Sequence, residues 1–374
     1  MRTLVEASAV FDQGAGIGRY SRNIVSRLLE LGVDDHWTLM RAPAERGGGA
    51  YYTPPRGQGV RVVNLPFSRR NADRIWFRLG IPLDARLFAG GADVVYSPDF
   101  TAPPMARTPR MITIHDLAFL THPDKTTDAL RRYLERVVPC QAESADLVAV
   151  VSNATKADVQ RLLGIDSERI VVVRNAVDER FFRAQPLGQI ERARLGIPDR
   201  YLLMVGTVEP RKNHINALRA LEASGVGQDV PLVIAGRPGW GFEEAVAYAE
   251  KLYQRGIVHL PQYVPDVDLP GLVAGATAML YPSWTEGFGL PVAEALAAGV
   301  PVITGTAPAL KEVGGDLALY ADPADVDTMA EHIRHVVAID STLEERRARQ
   351  EWIRQFSWDS STSIVYESLR KIAR

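Results

Sequence analysis

Short runs of β-branched and aliphatic residues alternate with amphipathic helical stretches almost from one end of the chain to the other. That alternation admits few folds, because strands that recur with a helix between them lie parallel, with helices covering the sheet. The runs at 3–10, 60–65, 92–96, 111–114, 147–151 and 170–174 read as one series of strands. Those at 201–205, 231–236, 257–260, 278–281 and 300–304 read as a second. Between the two series, residues 183–200 are polar and arginine-rich and end in Gly196-Ile197-Pro198, the composition of a linker. A chain of 374 residues is long for a single core. The fold class is therefore α/β, in two Rossmann-like domains.

Composition removes several functions. With 46% hydrophobic residues, 24% charged residues and a net charge of −2, the chain reads as soluble, with neither half basic enough to hold nucleic acid. Cys140 stands alone, so neither a disulfide framework nor a thiolate metal cluster is expected. No apolar run approaches the roughly 18 residues of a spanning helix. The N-terminus enters a strand pattern rather than a signal peptide, and a cytoplasmic location is expected. Residues 69–78, Arg-Arg-Asn-Ala-Asp-Arg-Ile-Trp-Phe-Arg, set arginines beside large apolar side chains. They fit either peripheral contact with the inner face of the plasma membrane or a helix that buries its aromatic side.

Most of the functional signal lies in residues 281–305, YPSWTEGFGLPVAEALAAGVPVITG. The apolar run before it ends at Pro282-Ser283, and Gly287 and Gly289 bracket a loop. Pro291 suits the first turn of a helix, Gly299 can stop that helix, and a short buried-type strand follows. A helix opening at the carboxyl end of a strand offers unpaired N–H groups to an anion. Glu286 and Glu294 flank that opening, and carboxylates so placed can accept hydrogen bonds from several hydroxyls. In the turn Gly206-Thr207-Val208-Glu209-Pro210-Arg211-Lys212-Asn213, two adjacent cations precede a helix at 215–221, and Gly206 allows close approach. That pattern suits a diphosphate clamp.

Three weaker signals accompany these. The loop Gly14-Ala15-Gly16-Ile17-Gly18 follows the first strand and precedes a helix at 19–31. Its glycine spacing is not that of a dinucleotide fingerprint, which leaves close approach by another ligand or a tight turn. His115-Asp116 ends the strand at 111–114, where open sheets bind ligands, and a structural hydrogen bond would also account for the pair. The loop Gln262-Tyr263-Val264-Pro265-Asp266 is placed to contact a base or an acceptor.

Together these motifs resemble the retaining, nucleotide-sugar-dependent glycosyltransferases of family four. More loosely, they resemble the mannosyltransferase-type members that extend lipopolysaccharide and other envelope glycans. The resemblance covers nearly the whole chain. It is firmest at residues 286–294, Glu-Gly-Phe-Gly-Leu-Pro-Val-Ala-Glu, which match the family's Glu-x7-Glu signature and are followed by Ala298-Gly299-Val300-Pro301-Val302. The resemblance implies the GT-B fold, with two Rossmann-like domains facing a cleft that closes on the donor. Residues 1–183 would take a glycan or lipid-linked acceptor and 198–356 the nucleotide sugar, with the last helix, 359–374, packing back on the first domain. Glu286 would bind donor-sugar hydroxyls, helped by the backbone N–H groups of Phe288, Gly289 and Leu290. Glu294 would bind the ribose, and Arg211 and Lys212 the diphosphate. Gly206 would let the backbone approach, Gly16 would border the diphosphate, and His115 would lie by the reacting carbon. Asp116, Tyr263 and Val264 are carried as acceptor-side candidates. Two positions depart from the family: Asn175-Ala176 stands where Asn-Gly is common, and no glycine stands near Gln262.

No cofactor is implied beyond the nucleotide-sugar donor, and no metal, because fixed cations can stabilise the departing diphosphate. Neither Ser97-Pro98-Asp99 nor Asp266-Val267-Asp268 lies in a phosphate loop. Two rivals make different predictions. A GT-B epimerase would release free sugar without an acceptor, and a non-catalytic sugar-nucleotide sensor would bind without turnover.

Overall fold

The structure, a computed structural model, describes residues 1–44, 51–55, 59–262 and 264–373. The chain forms two compact units. The first comprises Met1–Leu120, Ala129–Asn175 and Ser357–Arg374; the second comprises Thr121–Asp128 and Ala176–Phe356.

In the first unit the strands are β1 (Arg2–Glu6), β2 (His36–Arg41), β3 (Val60–Asn64), β4 (Val94–Ser97), β5 (Arg110–Ile114), β6 (Leu147–Val150) and β7 (Ile170–Val172). All pair in parallel, in the order β3-β2-β1-β4-β5-β6-β7. The second unit has β8 (Leu202–Val205), β9 (Leu232–Ala235), β10 (Val258–Gln262), β11 (Ala278–Tyr281), β12 (Val302–Gly305) and β13 (Leu319–Ala321). These are also parallel, in the order β10-β9-β8-β11-β12-β13. Each unit buries its own core: Leu4, Val95, Ile112 and Val148 in the first, and Leu202, Leu232, Leu280 and Ile303 in the second. In both sheets the strand order reverses beside the first strand, between β1 and β4 and between β8 and β11. Loops leaving such a junction diverge and open a crevice at the carboxyl ends of the strands.

Several details differ from the sequence reading. The first strand stops at Glu6, and Ser8–Asp12 forms a helical turn that buries Ser8, Ala9, Val10 and Phe11. The next helix begins at Gly16, so Gly16 and Gly18 are helical rather than part of a loop. A Cβ at Gly18 would lie 1.9 Å from the Gln13 carbonyl oxygen, so packing of the helix on the turn before it requires this glycine. The strands β2 and β13 escaped notice because His-Trp-Thr-Leu-Met-Arg and Leu-Tyr-Ala lack the aliphatic density of the others. In the arginine-rich segment, Trp76 is buried and donates its indole N–H to the Leu83 carbonyl at 3.0 Å, while Ile75 and Phe77 pack on the core. Its aromatic side therefore faces inward. Among the described residues, no helix is long and apolar enough to cross a membrane.

The chain passes between units after Asn175 rather than within 183–200. The arginines of that stretch make it part of the second unit. On the helix Gln189–Leu195, Arg192 bonds the Leu187 carbonyl and Asp199 (both 2.8 Å), and Arg194 bonds Asp268 (2.6 Å). The final helix, Trp358–Ile372, packs in the first unit against Gly16–Leu31. Ser361 donates to the Arg174 carbonyl at 2.7 Å, and Arg27 pairs with Asp359 at 3.0 Å.

Candidate active site

The second unit's strand junction holds the densest polar cluster of the sequence motifs. After β8, Gly206 turns with φ +135°, a region that favours glycine. A 3-10 turn, Pro210–Lys212, then presents the two cations. Asn213 closes it at φ +60°, its side-chain amide donating to the Pro323 carbonyl at 2.6 Å, and the helix His214–Ser224 begins. Gly236, after β9, supports this turn from beside it: an added Cβ would fall 1.8 Å from the Gly206 carbonyl oxygen. Gly236→Ala is therefore expected to destabilise the second unit by about 1–3 kcal/mol through overpacking and to displace the Lys212 turn. Thermal denaturation and nucleotide titration would read both effects, and wild-type values in each would show that the turn does not depend on Gly236.

After β11, the loop returns through Ser283, Trp284 and Glu286 to Gly289, where φ is +100° and a Cβ would meet Leu310 at 2.7 Å. The helix Leu290–Ala297 starts there, with Pro291 in its first turn and no side-chain cap. Glu294 is buried one turn inside, and Phe288 packs edge-on against Phe356, with centroids 5.4 Å apart. The two loops are tied together by the Trp284 N–H, which donates to the Arg211 carbonyl at 3.0 Å.

Glu286 is the hub. One carboxylate oxygen accepts from Lys212 Nζ (2.6 Å), the Tyr281 hydroxyl (2.9 Å) and Ser283 Oγ (2.6 Å). The other accepts from Arg211 at 2.9 Å. Arg211 also reaches the Thr285 carbonyl (3.1 Å) and Glu209 (2.8 Å), and Lys212 donates to the Tyr281 hydroxyl. Burial alone would raise the Glu286 carboxyl, but Arg211 and Lys212 outweigh it and hold it at about 2. Lys212 is shifted down by burial and by Arg211, with Glu286 restoring part of the loss. Burial, then Lys212, also lowers His214 to about 4, keeping it neutral beside the cations. The result is a desolvated cation pair whose counter-charges include Glu286 and Glu209, positions from which an added anion would gain strongly.

The other sequence candidates belong to other elements. Gly16 and His115 belong to the first unit. His115 follows β5, is buried, and donates its Nε2–H to the Pro98 carbonyl at 2.9 Å; burial lowers its pKa. Asp116 accepts from the Ala118 N–H at 3.0 Å and so caps a local turn. Val264 follows β10, two strands away from β8, and Tyr263 lies outside the described residues. Asp268 is engaged by Arg194 and Asp99 by Arg69 at 3.2 Å. Among the described residues, no three His, Cys, Asp or Glu gather as metal ligands. Tyr281, Ser283 and Glu209 were missed as members of the cluster, since a tyrosine closing a strand and a serine after proline carry no signal until Glu286 is placed. Lys125, from the short segment Thr121–Asp128, was also missed; its Nζ lies over the Trp284 ring at 4.9 Å.

A second titrating group sits at the first unit's strand junction. Glu6 ends β1, and its carboxyl is pushed up to about 7 because burial outweighs Arg69 and Ser8. A raised folded-state value means that its contribution to stability is complete below about 4.5 and is lost as pH rises toward 7. Glu6→Gln should therefore flatten the fall in melting temperature across that window; an unchanged slope would show that Glu6 does not titrate there.

Two doubly wound parallel sheets, one with a largely buried cation–carboxylate knot at its strand junction, define the class as α/β. Residues 14–181 match the model of glycosyltransferase family 4, and 189–355 that of glycosyl transferases group 1. An O-antigen chain mannosyltransferase B of Escherichia coli is 34% identical over 277 residues, 72% of each chain. The chain belongs to the group 1, family 4 glycosyltransferases. It is also 26% identical to a serotype-specific mannosyltransferase of Escherichia coli over its whole length, but spans only 45% of that protein. Sucrose-phosphate synthase from Thermosynechococcus elongatus matches at TM-score 0.75 and 16% identity, covering 100% of this chain and 99% of that one. The fold is thus that of the GT-B glycosyltransferases.

Proposed function

We propose that the protein is a retaining, metal-independent hexosyltransferase, transferring mannose from a nucleoside diphosphate sugar, GDP-mannose being favoured. The acceptor would be a glycan or lipid-linked glycan in envelope polysaccharide synthesis. The observation that carries this reading is the Glu286 carboxylate bound to both Lys212 and Arg211 beside the bare backbone of Gly206. In this reading Arg211 and Lys212 take the diphosphate, and Glu286 takes donor-sugar hydroxyls with the N–H groups of Phe288, Gly289 and Leu290. Glu294 takes the ribose. The mannose assignment is supported by the names of the two bacterial mannosyltransferases above.

The chemistry follows from those charges. The bond between the anomeric carbon and the phosphate oxygen breaks, positive charge grows on the sugar, and negative charge grows on the nucleoside diphosphate. Fixed cations stabilise that charge where it develops. The acceptor hydroxyl oxygen bonds to the same face of the anomeric carbon, and its proton passes to the leaving phosphate oxygen. Transfer from an α-linked donor should give α-linked product, read from NMR coupling constants, and the rate should survive EDTA. A β-linked product would refute retention, and loss of rate restored by a divalent cation would refute metal independence.

A further inference from the structure

We propose that a groove built around Trp352 is a second glycan-binding site, distinct from the Glu286 site and suited to a neutral oligosaccharide. The groove lies on the second unit between the turn Gly315–Leu317 and the helix Leu343–Ile353. It is an open depression of about 570 Å3, lined by Asp316, Leu317, Ala348, Glu351, Trp352 and Gln355.

Trp352 is 36% exposed, yet its ring is fixed. The indole N–H donates to the Val313 carbonyl at 2.7 Å. Its six-membered ring packs on Gly315, where φ is +52° and an added Cβ would lie 2.7 Å from the ring. The polar atom of the indole is thus already satisfied, and what remains exposed is rigid hydrocarbon surface. Among the described residues, the carboxylates of Asp316 and Glu351 enter no hydrogen bond or ion pair. Gln355 donates its amide to the Trp352 carbonyl at 2.9 Å, which orients the amide at the rim.

This combination discriminates between ligand classes. No lysine or arginine lines the groove, and two carboxylates repel a phosphate or diphosphate. An apolar partner would strip water from both carboxylates without replacing its hydrogen bonds. A neutral sugar satisfies both features: its C–H face covers the indole, and its hydroxyls donate to Asp316 and Glu351. For a glycosyltransferase whose product is a growing glycan, such a site would tether the polymer and raise its local concentration at the transfer site. That consequence rests on the proposed function; binding by the groove does not.

The test is calorimetric titration with α-mannotriose, maltotriose and a β-galactotriose. The proteins would be wild type, Trp352→Ala, the double variant Asp316→Asn/Glu351→Gln, and Lys212→Ala. At least one trisaccharide should bind the wild type, at least tenfold more weakly to Trp352→Ala and to the double variant, and equally well to Lys212→Ala. Trp352→Ala should also raise KM for a long acceptor while leaving transfer to a monosaccharide glycoside unchanged. Absence of binding by all three sugars, or wild-type affinity in both groove variants, would overturn the proposal. Retention of transfer by Lys212→Ala would instead count against the proposed active site and leave the groove standing.

Discussion

Replacing Lys212 with alanine is expected to lower kcat by about 10²–10³-fold, the scale seen when one preorganised charge-stabilising donor is removed. Lys212 is held between Glu286 and the Tyr281 hydroxyl with its side chain only 12% exposed, so its position is set before any donor arrives and no reorganisation is needed as charge develops. Stability should change little or rise, because burial and Arg211 already disfavour the ammonium. Circular dichroism and steady-state rates on the same preparation separate the two effects. A near-normal kcat in a folded Lys212→Ala protein would remove this residue from the mechanism.

Glu286 should give a comparable loss of activity with the opposite effect on stability. Its carboxylate balances Arg211 and Lys212, at a site where its side chain is 9% exposed. Removing it leaves largely buried positive charge, with Glu209 still paired to Arg211 and attracting Lys212. Breaking such a pair costs about 3 kcal/mol, at the low end of the usual range for buried ion pairs. Glu286→Gln, which keeps the volume and one acceptor, is therefore the cleaner kinetic probe, with an expected fall in kcat of about 10²-fold or more. Glu286→Ala is the cleaner stability probe. Its destabilisation should shrink when a nucleoside diphosphate is added, since that anion can replace the missing charge. The pH dependence carries a matching sign. A folded-state value lowered to about 2 means stability that is complete above about 4.5 and lost as pH falls toward 2. Acid titration of Glu286→Ala should lack that component; an identical acid profile, or an undiminished rate in Glu286→Gln, would contradict the assignment.

What the sequence disclosed, and what it withheld, follows from how local each signal is. The loop at 206–213 and the signature at 286–294 are contiguous, and each is bounded by a strand and a helix that their own residues specify. Their meeting depends on β8 and β11 being neighbours, which no local pattern encodes and which the strand order supplies. Partners contributed singly were therefore invisible: Tyr281 and Ser283 on Glu286, Glu209 on Arg211, Gly236 under Gly206. Propensity misled where tertiary contacts decide. Residues 189–195 looked like linker because they are polar, yet ion pairs to Asp199 and Asp268 fix them in the second unit. The short segment Thr121–Asp128 groups with the second unit, an excursion that composition does not announce.

A sugar nucleotide is expected to be held at the β8–β11 junction. A crystal structure of the protein with GDP-mannose bound tests this most directly. The diphosphate should contact Arg211 and Lys212, the ribose Glu294, and the hexose Glu286 with the N–H groups of Phe288, Gly289 and Leu290. A donor found ordered away from Lys212 and Glu294, with the Glu286 cluster untouched, would contradict it.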